Sequence, residues 1–475
     1  MARPPTCSAN RCWGMSTRRC PPPLTTAETG PAMPLPYAVE LGLKGARRHP
    51  RTVLLAVFTL ALGLASVMTM LTLLTLLSAD PLPGLSQQLY TGWVESRQAQ
   101  KSNDDMEPNP LPPSHWKLGD AKAFIAAHPN IAQTALAASY LTVGDEDGKR
   151  RQGIYGVMAL GPMPAMFGVP LRHGRAWTAQ EERAAAPVAI IGHTLSLKLF
   201  GTENGAGKQI RVGKHLFRVI GISDDWHPRP AFYFIQSLDT VWNETMIELF
   251  VPVQATLDAA ATPLVDQQCD DSSPGGVRFN EINVAACRWM NLWAQLRTPA
   301  QVNSYRDALL AFASARHAAG IYARPPQATL HSVPEWLDAN RVVPDNVRLN
   351  FWLTIALLTL CVVNVAGLLA ARFFKRAGEI GVHRVLGAPR RAVFVRCLTE
   401  AGLIGLLGGV LALPATLFGL WVVRLQDQSY STLARFQPEL FLPLLLLAVC
   451  TGLLVGVIPA WRAVQLQPAL QVKSL

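Results

Sequence analysis

Charge is scarce in this sequence. Only 16% of its 475 residues are Asp, Glu, Lys or Arg, half are hydrophobic, and the mean hydropathy is +0.20. A soluble chain ordinarily carries about a quarter of its residues as charges. The shortage is concentrated in four apolar runs, Val53–Leu77, Phe351–Ala371, Leu398–Val423 and Leu440–Trp461, whose middle thirds hold no ionisable residue. Glu400 stands only at the entrance of the third. Each run reaches the roughly 20 apolar residues that cross a bilayer. Polar midplane residues of the kind that carry a solute are nearly missing too, with Asn364 the main one. There is no G-x-S-x-G and no H-E-x-x-H, so nothing points to a membrane-anchored hydrolase. Zinc-finger spacing and basic stripes interleaved with aromatics are absent, so the net charge of +11 is not a nucleic-acid signal.

The basic residues that are present collect at the ends of the runs. Lys44, Arg47, Arg48 and Arg51 precede the first. The segment RFFKRAGEIGVHRVLGAPRRAVFVR, Arg372 to Arg396, lies between the second and third and carries seven Lys/Arg against one carboxylate, Glu379. Arg462 and Lys473 follow the fourth, whereas the loop after the third holds only Arg424 and Arg435. By the positive-inside rule both termini and the 373–397 segment are cytoplasmic, and 79–349 lies outside. The expected order is a disordered extension over 1–35 or a start codon placed too early, an interfacial amphipathic helix over 36–51, spans at 52–78, 350–372, 398–423 and 440–461, a short outer loop at 424–439 and an inner tail at 462–475. The fold class is therefore four transmembrane helices with a large α+β domain inserted between the first and second. That domain is long enough for its own core and two subdomains.

The N-terminal 32 residues have no apolar stretch of a secretory signal, and Cys7, Cys12 and Cys20 among many prolines lack a fourth metal ligand. In the outer region, IAQTALAASYLTVGDEDGKRRQGIYGVMAL predicts two strands around an Asp-Gly turn. PVAIIG predicts a strand, HTLSLKLFG a short helix stopped by Gly201, KQIRVGKHLFRVIGIS a second hairpin, and the stretch from Pro299 an amphipathic helix. GTENGAGKQ (Gly201–Gln209) imitates a phosphate loop. Thr202 replaces its first glycine and Gln209 its hydroxyl residue, so a turn is expected and no bound cofactor. SDDWH, Ser223–His227, offers carboxylates and an imidazole to a metal, but a polar loop after a strand is the commoner meaning. Cys269 and Cys287 are the outer region's only cysteines. They form either a disulfide, as suits an oxidising space, or two separate buried thiols.

Within the spans, Gly405 and Gly409, and Gly452 and Gly456, stand at small-xxx-small spacing. That spacing suits close helix packing inside one chain or across a subunit interface. Ile380, Val382, Val385 and Leu386 alternate with polar residues ahead of Gly387, which predicts a short amphipathic helix. Such a helix docks on a cytoplasmic partner, or is a basic loop that only sets topology. Stiff helices joining an outer domain to an inner basic segment make a mechanical layout, in which motion crosses the membrane and solute does not.

At these residues the chain resembles the MacB/FtsX-type permeases of ABC transporters. RAGEIGVHRVLGAPRRAVFVRCLTEAGLIGLLGGVLAL resembles the family's second cytoplasmic segment and third helix. GRAWTAQEERAAAPVAIIGHTLSLKLFGTENGAGKQIRVGKHLFRVIGIS resembles its periplasmic core domain. ELGLKGARRHPRTVLLAVFTLALGLA and IPAWRAVQLQPALQV resemble its N-terminal and C-terminal ends. The resemblance implies a multi-pass protein of the bacterial inner membrane with a large periplasmic domain. It implies no enzyme activity of its own, with ATP and magnesium held by a separate cytoplasmic ABC ATPase. Coupling to that ATPase would run through Glu379, Ile380, Gly381, Arg384, Leu386, Gly387 and Ala388. The further partners it implies are a second copy or a sibling permease, a membrane-fusion protein and an outer-membrane channel. Two functions follow from it: export of peptides, antibiotics or lipoproteins, or non-transporting activation of a periplasmic partner such as a cell-wall hydrolase.

Overall fold

A computed structural model describes residues 50–97, 114–233, 247–260, 287–376, 389–426 and 441–465, together with 235, 241, 268–269, 378 and 382. These residues fall into two compact units. One gathers those of Met1–Ala61, Leu360–Leu411 and Leu445–Leu475; the other gathers those of Leu62–Thr359 and Ala412–Leu444.

Four described helices are long and apolar enough to cross a membrane: α1 (Pro50–Leu77), α6 (Asp345–Lys375), α7 (Arg390–Arg424) and α8 (Phe441–Gln465). Hydrocarbon tolerates their hydroxyls because these bond within the helix. Thr59, Ser66, Thr69 and Thr72 of α1 each donate their hydroxyl to the carbonyl four residues earlier, as do Thr359, Thr416 and Thr451 on the others. Helix α7 begins at Arg390, eight residues before the apolar run that marks it in the sequence, and passes through Pro414. Hydropathy reports only the lipid-facing length; the basic turns at 390–397 are equally helical and hold no helix breaker.

The unit that contains residues 62–359 is built on one mixed sheet of ten strands. Its path runs β12 (Ala328–Ser332), β1 (Leu89–Val94), β11 (Asn291–Gln295), β2 (Gln133–Gly144), β3 (Gln152–Leu160), β8 (Leu249–Pro252), β5 (Val188–Gly192), β7 (His215–Ser223) and β4 (Leu171–Gly174). Strand β6 (Gln209–Val212) bridges β2 and β7. The central strands read as unbroken apolar runs because both faces are covered: all five residues of β5 are buried between β8 and its parallel neighbour β7. Where two subdomains are expected from the sequence, one apolar core runs from Leu89 to Trp336. Strand β2 runs through that core, pairing β11 and then β6 along one edge and β3 along the other.

Helix α4 (Pro299–Ala318) turns Tyr305, Leu309 and Ala313 inward at helical spacing, starts on a Thr298/Gln301 capping box and has Pro299 at its first position. The short helices α2 (Leu118–Ala127), α3 (His193–Phe200) and α5 (Val333–Ala339) complete the cover. Gly201 ends α3 in the left-handed conformation at φ 68°, and the phosphate-loop imitation is the turn that follows it into β6. First and last strands of the region are neighbours. β1 pairs β12 antiparallel, Tyr90 opposite Ser332 through Val94 opposite Ala328, so the chain enters and leaves the domain along one sheet edge.

Candidate functional site

The junction of α7 and α8 is packed without intervening side chains. On α7, Ala401, Gly405 and Gly409 follow one another at four-residue steps; on α8, Gly456, Gly452 and Ala448 do the same in reverse. A Cβ added to Gly405 would lie 2.8 Å from Gly452 Cα, and one added to Gly452 would lie 2.5 Å from Gly405 Cα. One added to Gly409 would meet Ala448 Cβ at 2.6 Å, and one at Gly456 would meet Ala401 Cβ at 2.2 Å. The two backbones touch because no side chain intervenes. All four glycines singled out from the sequence therefore face packing partners inside this chain. A Cβ added to Gly408, one step round α7, would lie 3.2 Å from Leu60 Cδ2 of α1, which brings a third helix to the same place.

Beside this seam lies a buried ion cluster. Arg372 and Arg376 occupy the end of α6, one turn apart, and Glu400 lies on α7. An Arg372 guanidinium nitrogen is 2.6 Å from Glu400 Oε1, and one of Arg376 is 3.5 Å from Glu400 Oε2. The side chains of Arg372 and Glu400 retain only 6% and 5% of their surface. Cations in the last turn of α6 also face the negative end of the helix dipole. Sequence reasoning placed Glu400 at a membrane entrance and gave it no partner. Its phase carries the missing signal: Val393, Cys397, Ala401 and Ile404 are buried at helical spacing, and Glu400 falls on that face.

The docking residues expected from the resemblance, Glu379, Ile380, Gly381, Arg384, Leu386, Gly387 and Ala388, lie outside the described residues. Those on either side of them are the end of α6 and the start of α7, and Val382 between them is helical and exposed. Asn364 lies on the exposed face of α6, next to the exposed Leu360 and Val363. In the outer region Cys287 is disulfide-bonded, and the strand pair β9 (Gln268–Cys269) with β10 (Cys287–Arg288) sets Cys269 directly opposite it.

A second polar cluster sits at the carboxyl ends of the parallel strands β5 and β7, where His193, Asp224 and Asp225 offer ligand atoms within 4.8 Å of one another. The sequence suggested His227 for that role; the fold brings His193 instead, because Gly192 pairs with Ser223. His193 Nδ1 is 3.2 Å from Asp225. Arg172 already holds Asp224 at 2.8 Å and keeps its carboxyl below the usual range. The cluster therefore already holds a cation of its own in Arg172. A cavity of about 360 Å³ opens beside the end of α1, within the size range of small-molecule sites. Leu77, Leu337, Val342 and Val343 wall it, and Asp80, Asp338 and Arg348 stand at its rim.

Comparison with known proteins finds two family matches in chain order. Residues 53–311 match the MacB-like periplasmic core domain, and residues 351–468 match the FtsX-like permease C-terminal domain. The macrolide export ATP-binding/permease protein MacB of Syntrophobacter fumaroxidans is 22% identical over 338 residues, covering 64% of this chain and 45% of that one. The pyoverdine export ATP-binding/permease protein PvdT of Pseudomonas entomophila is 26% identical over 328 residues, covering 66% and 41%. The chain thus spans less than half the length of these relatives. Among solved structures, the periplasmic region of MacB from Actinobacillus actinomycetemcomitans aligns with 54% of this chain and 94% of its own, at 13% identity and a TM-score of 0.31.

Proposed function

Because the chain belongs to the MacB/FtsX-type family of ABC transporter permeases, we propose that it passes the work of ATP hydrolysis across the membrane as motion of its periplasmic domain. The observation that carries this reading is α6. It is one unbroken helix of 31 residues, roughly 46 Å at the helical rise, running from the residues after α5 to the edge of the basic 377–388 segment. A push at one end of a rigid helix appears at the other with no intermediate to absorb it.

The ATP is bound and hydrolysed by a cytoplasmic ABC ATPase on a partner chain, which docks on Glu379, Ile380, Gly381, Arg384, Leu386, Gly387 and Ala388. A second permease chain lies against α6. The exposed Asn364 amide supports this, because an unpartnered amide in hydrocarbon is costly and a facing helix can supply its hydrogen bonds. Both termini are cytoplasmic in this arrangement, and cargo is taken from the periplasmic side. The named relatives are exporters of macrolides and of pyoverdine. By their example the cargo is an antibiotic, peptide-like molecule or lipoprotein delivered onward through a membrane-fusion protein and an outer-membrane channel. A regulatory permease of the same build, which activates a cell-wall hydrolase and moves nothing, is favoured by one observation: the spans lack ionisable residues at their centres.

The test is capture of the tagged, solubilised chain from its own membranes, with identification of what accompanies it. An ABC ATPase whose hydrolysis rises on reconstitution with the chain, and falls when Glu379 or Leu386 is changed to Ala, supports the reading. Stimulation unaffected by those changes removes the docking assignment. An accompanying membrane-fusion protein selects export, and an accompanying hydrolase selects regulation.

A further inference from the structure

We infer that Glu400 is a positioning residue. Through Arg372 and Arg376 it ties the two roots of the 377–388 segment together, so that a load on that segment moves α6 and α7 as one body. This rests on the coupling reading above and goes beyond it, since the docking residues that the resemblance implies do not include Glu400.

Three observations carry the inference. The first is position. Arg372 and Arg376 close α6 immediately before the segment, and Glu400 lies on α7, whose first residue, Arg390, follows the segment. A 2.6 Å ion pair there shortcuts 28 residues of chain. The second is burial. Removing water from a charge is tolerated only with close partners, and losing one partner leaves the other stranded. Arg372 and Glu400 are both nearly sealed, so the contact cannot be exchanged for solvent without opening the helix pair. The third is phase. Arg372 sits beside the buried Leu369 and Phe373, and Glu400 beside the buried Cys397 and Ala401, so each charge is on the packed face of its helix. Elsewhere along α7 the buried face carries mostly small and aliphatic side chains. A charged cluster has one low-energy register, and register is what a lever needs at its loaded end.

The experiment uses the full chain in lipid nanodiscs. Spin labels on Lys375→Cys and Arg391→Cys, both exposed sites, report the distance between the roots in a background whose other free thiols are Ser. Wild-type protein should give a narrow distance distribution. Glu400→Gln, which keeps shape and removes charge, should broaden it while the tryptophan-detected melt of the periplasmic domain stays unchanged. The ABC ATPase identified by capture should still bind this variant, but its stimulation should fall about ten-fold or more. Glu400→Asp should recover part of both readouts, and the reversed pair Arg372→Glu/Glu400→Arg most of both. A narrow distribution and full stimulation in Glu400→Gln overturns the inference. If Glu400→Gln does not accumulate, the reversed pair decides: it must accumulate and stay narrow, and its failure to do so also overturns the inference. If no ATPase is captured by the wild-type chain, the coupling reading falls, and the distance measurement still tests the tie.

Discussion

Glu181 shows how a single side chain fixes a local turn and a pH dependence together. It accepts the backbone N–H of Thr178, closes the capping box of the Ala179–Arg183 helix and receives two 2.7 Å hydrogen bonds from Arg175. The Arg175 guanidinium, and then the Thr178 N–H, hold its carboxyl at about 2, against an ordinary value of 4.5. A carboxylate with a depressed folded pKa contributes stability above its unfolded value and loses it as pH falls toward the folded one. Glu181→Gln should therefore flatten the decline in melting temperature of the full chain between about pH 4.5 and pH 2, followed by tryptophan fluorescence. Thr178→Ala should cost about 1 kcal/mol at neutral pH by loss of the cap. This site was half visible beforehand: T-x-x-E spacing marks a capping box, but Arg175 lies ahead of the helix and only the fold turns it back. The Arg372–Glu400 contact was invisible for a stronger reason. Nothing in local composition pairs residues 28 apart when one stands at the edge of an apolar run and the other among seven cations.

At the scale of elements, the glycine seam yields a sharp contrast. Gly405→Leu must push α7 from α8, because the nearest atoms are backbone and cannot give way. It should destabilise the chain by about 3 kcal/mol. Gly367→Leu on α6, where a Cβ meets nothing within 4 Å, should change stability by less than about 0.5 kcal/mol. Thermal unfolding of both variants in one detergent checks the pair. The glycines were legible because their spacing is rare outside close helix contacts. Their partners Ala401 and Ala448 were not, since alanine is unremarkable in any helix. Strands and hairpins were legible from period and turn residues: β2, β3, β5, β6 and β7 each answer to a quoted stretch of sequence. The strand order was not, because β1 and β12 are about 240 residues apart and adjacent only through backbone pairing. A second check belongs to β9 and β10. With Cys287 disulfide-bonded and Cys269 opposite, Cys287→Ser should expose one reactive thiol at Cys269, counted by mass after alkylation. The loss of the crosslink should lower stability by about 3 kcal/mol, as expected for a closed loop of this length.

For the whole molecule, sidedness is the property on which everything else depends. Asp147, in the β2–β3 turn, is well exposed. An Asp147→Cys variant should react with a membrane-impermeant maleimide in intact spheroplasts, whereas a cysteine at Lys375 should react only after permeabilisation. Labelling in the opposite sense would invert the topology and with it the lever. The paired entry and exit strands have a consequence for how such proteins diversify. The body between them is attached by two adjoining strands that already form one ladder, five residue pairs long. A different head could be grafted at those rungs with the membrane helices left as they stand. The domain carried on those strands can thus be traded during evolution, or by an engineer, like a tool in a fixed handle.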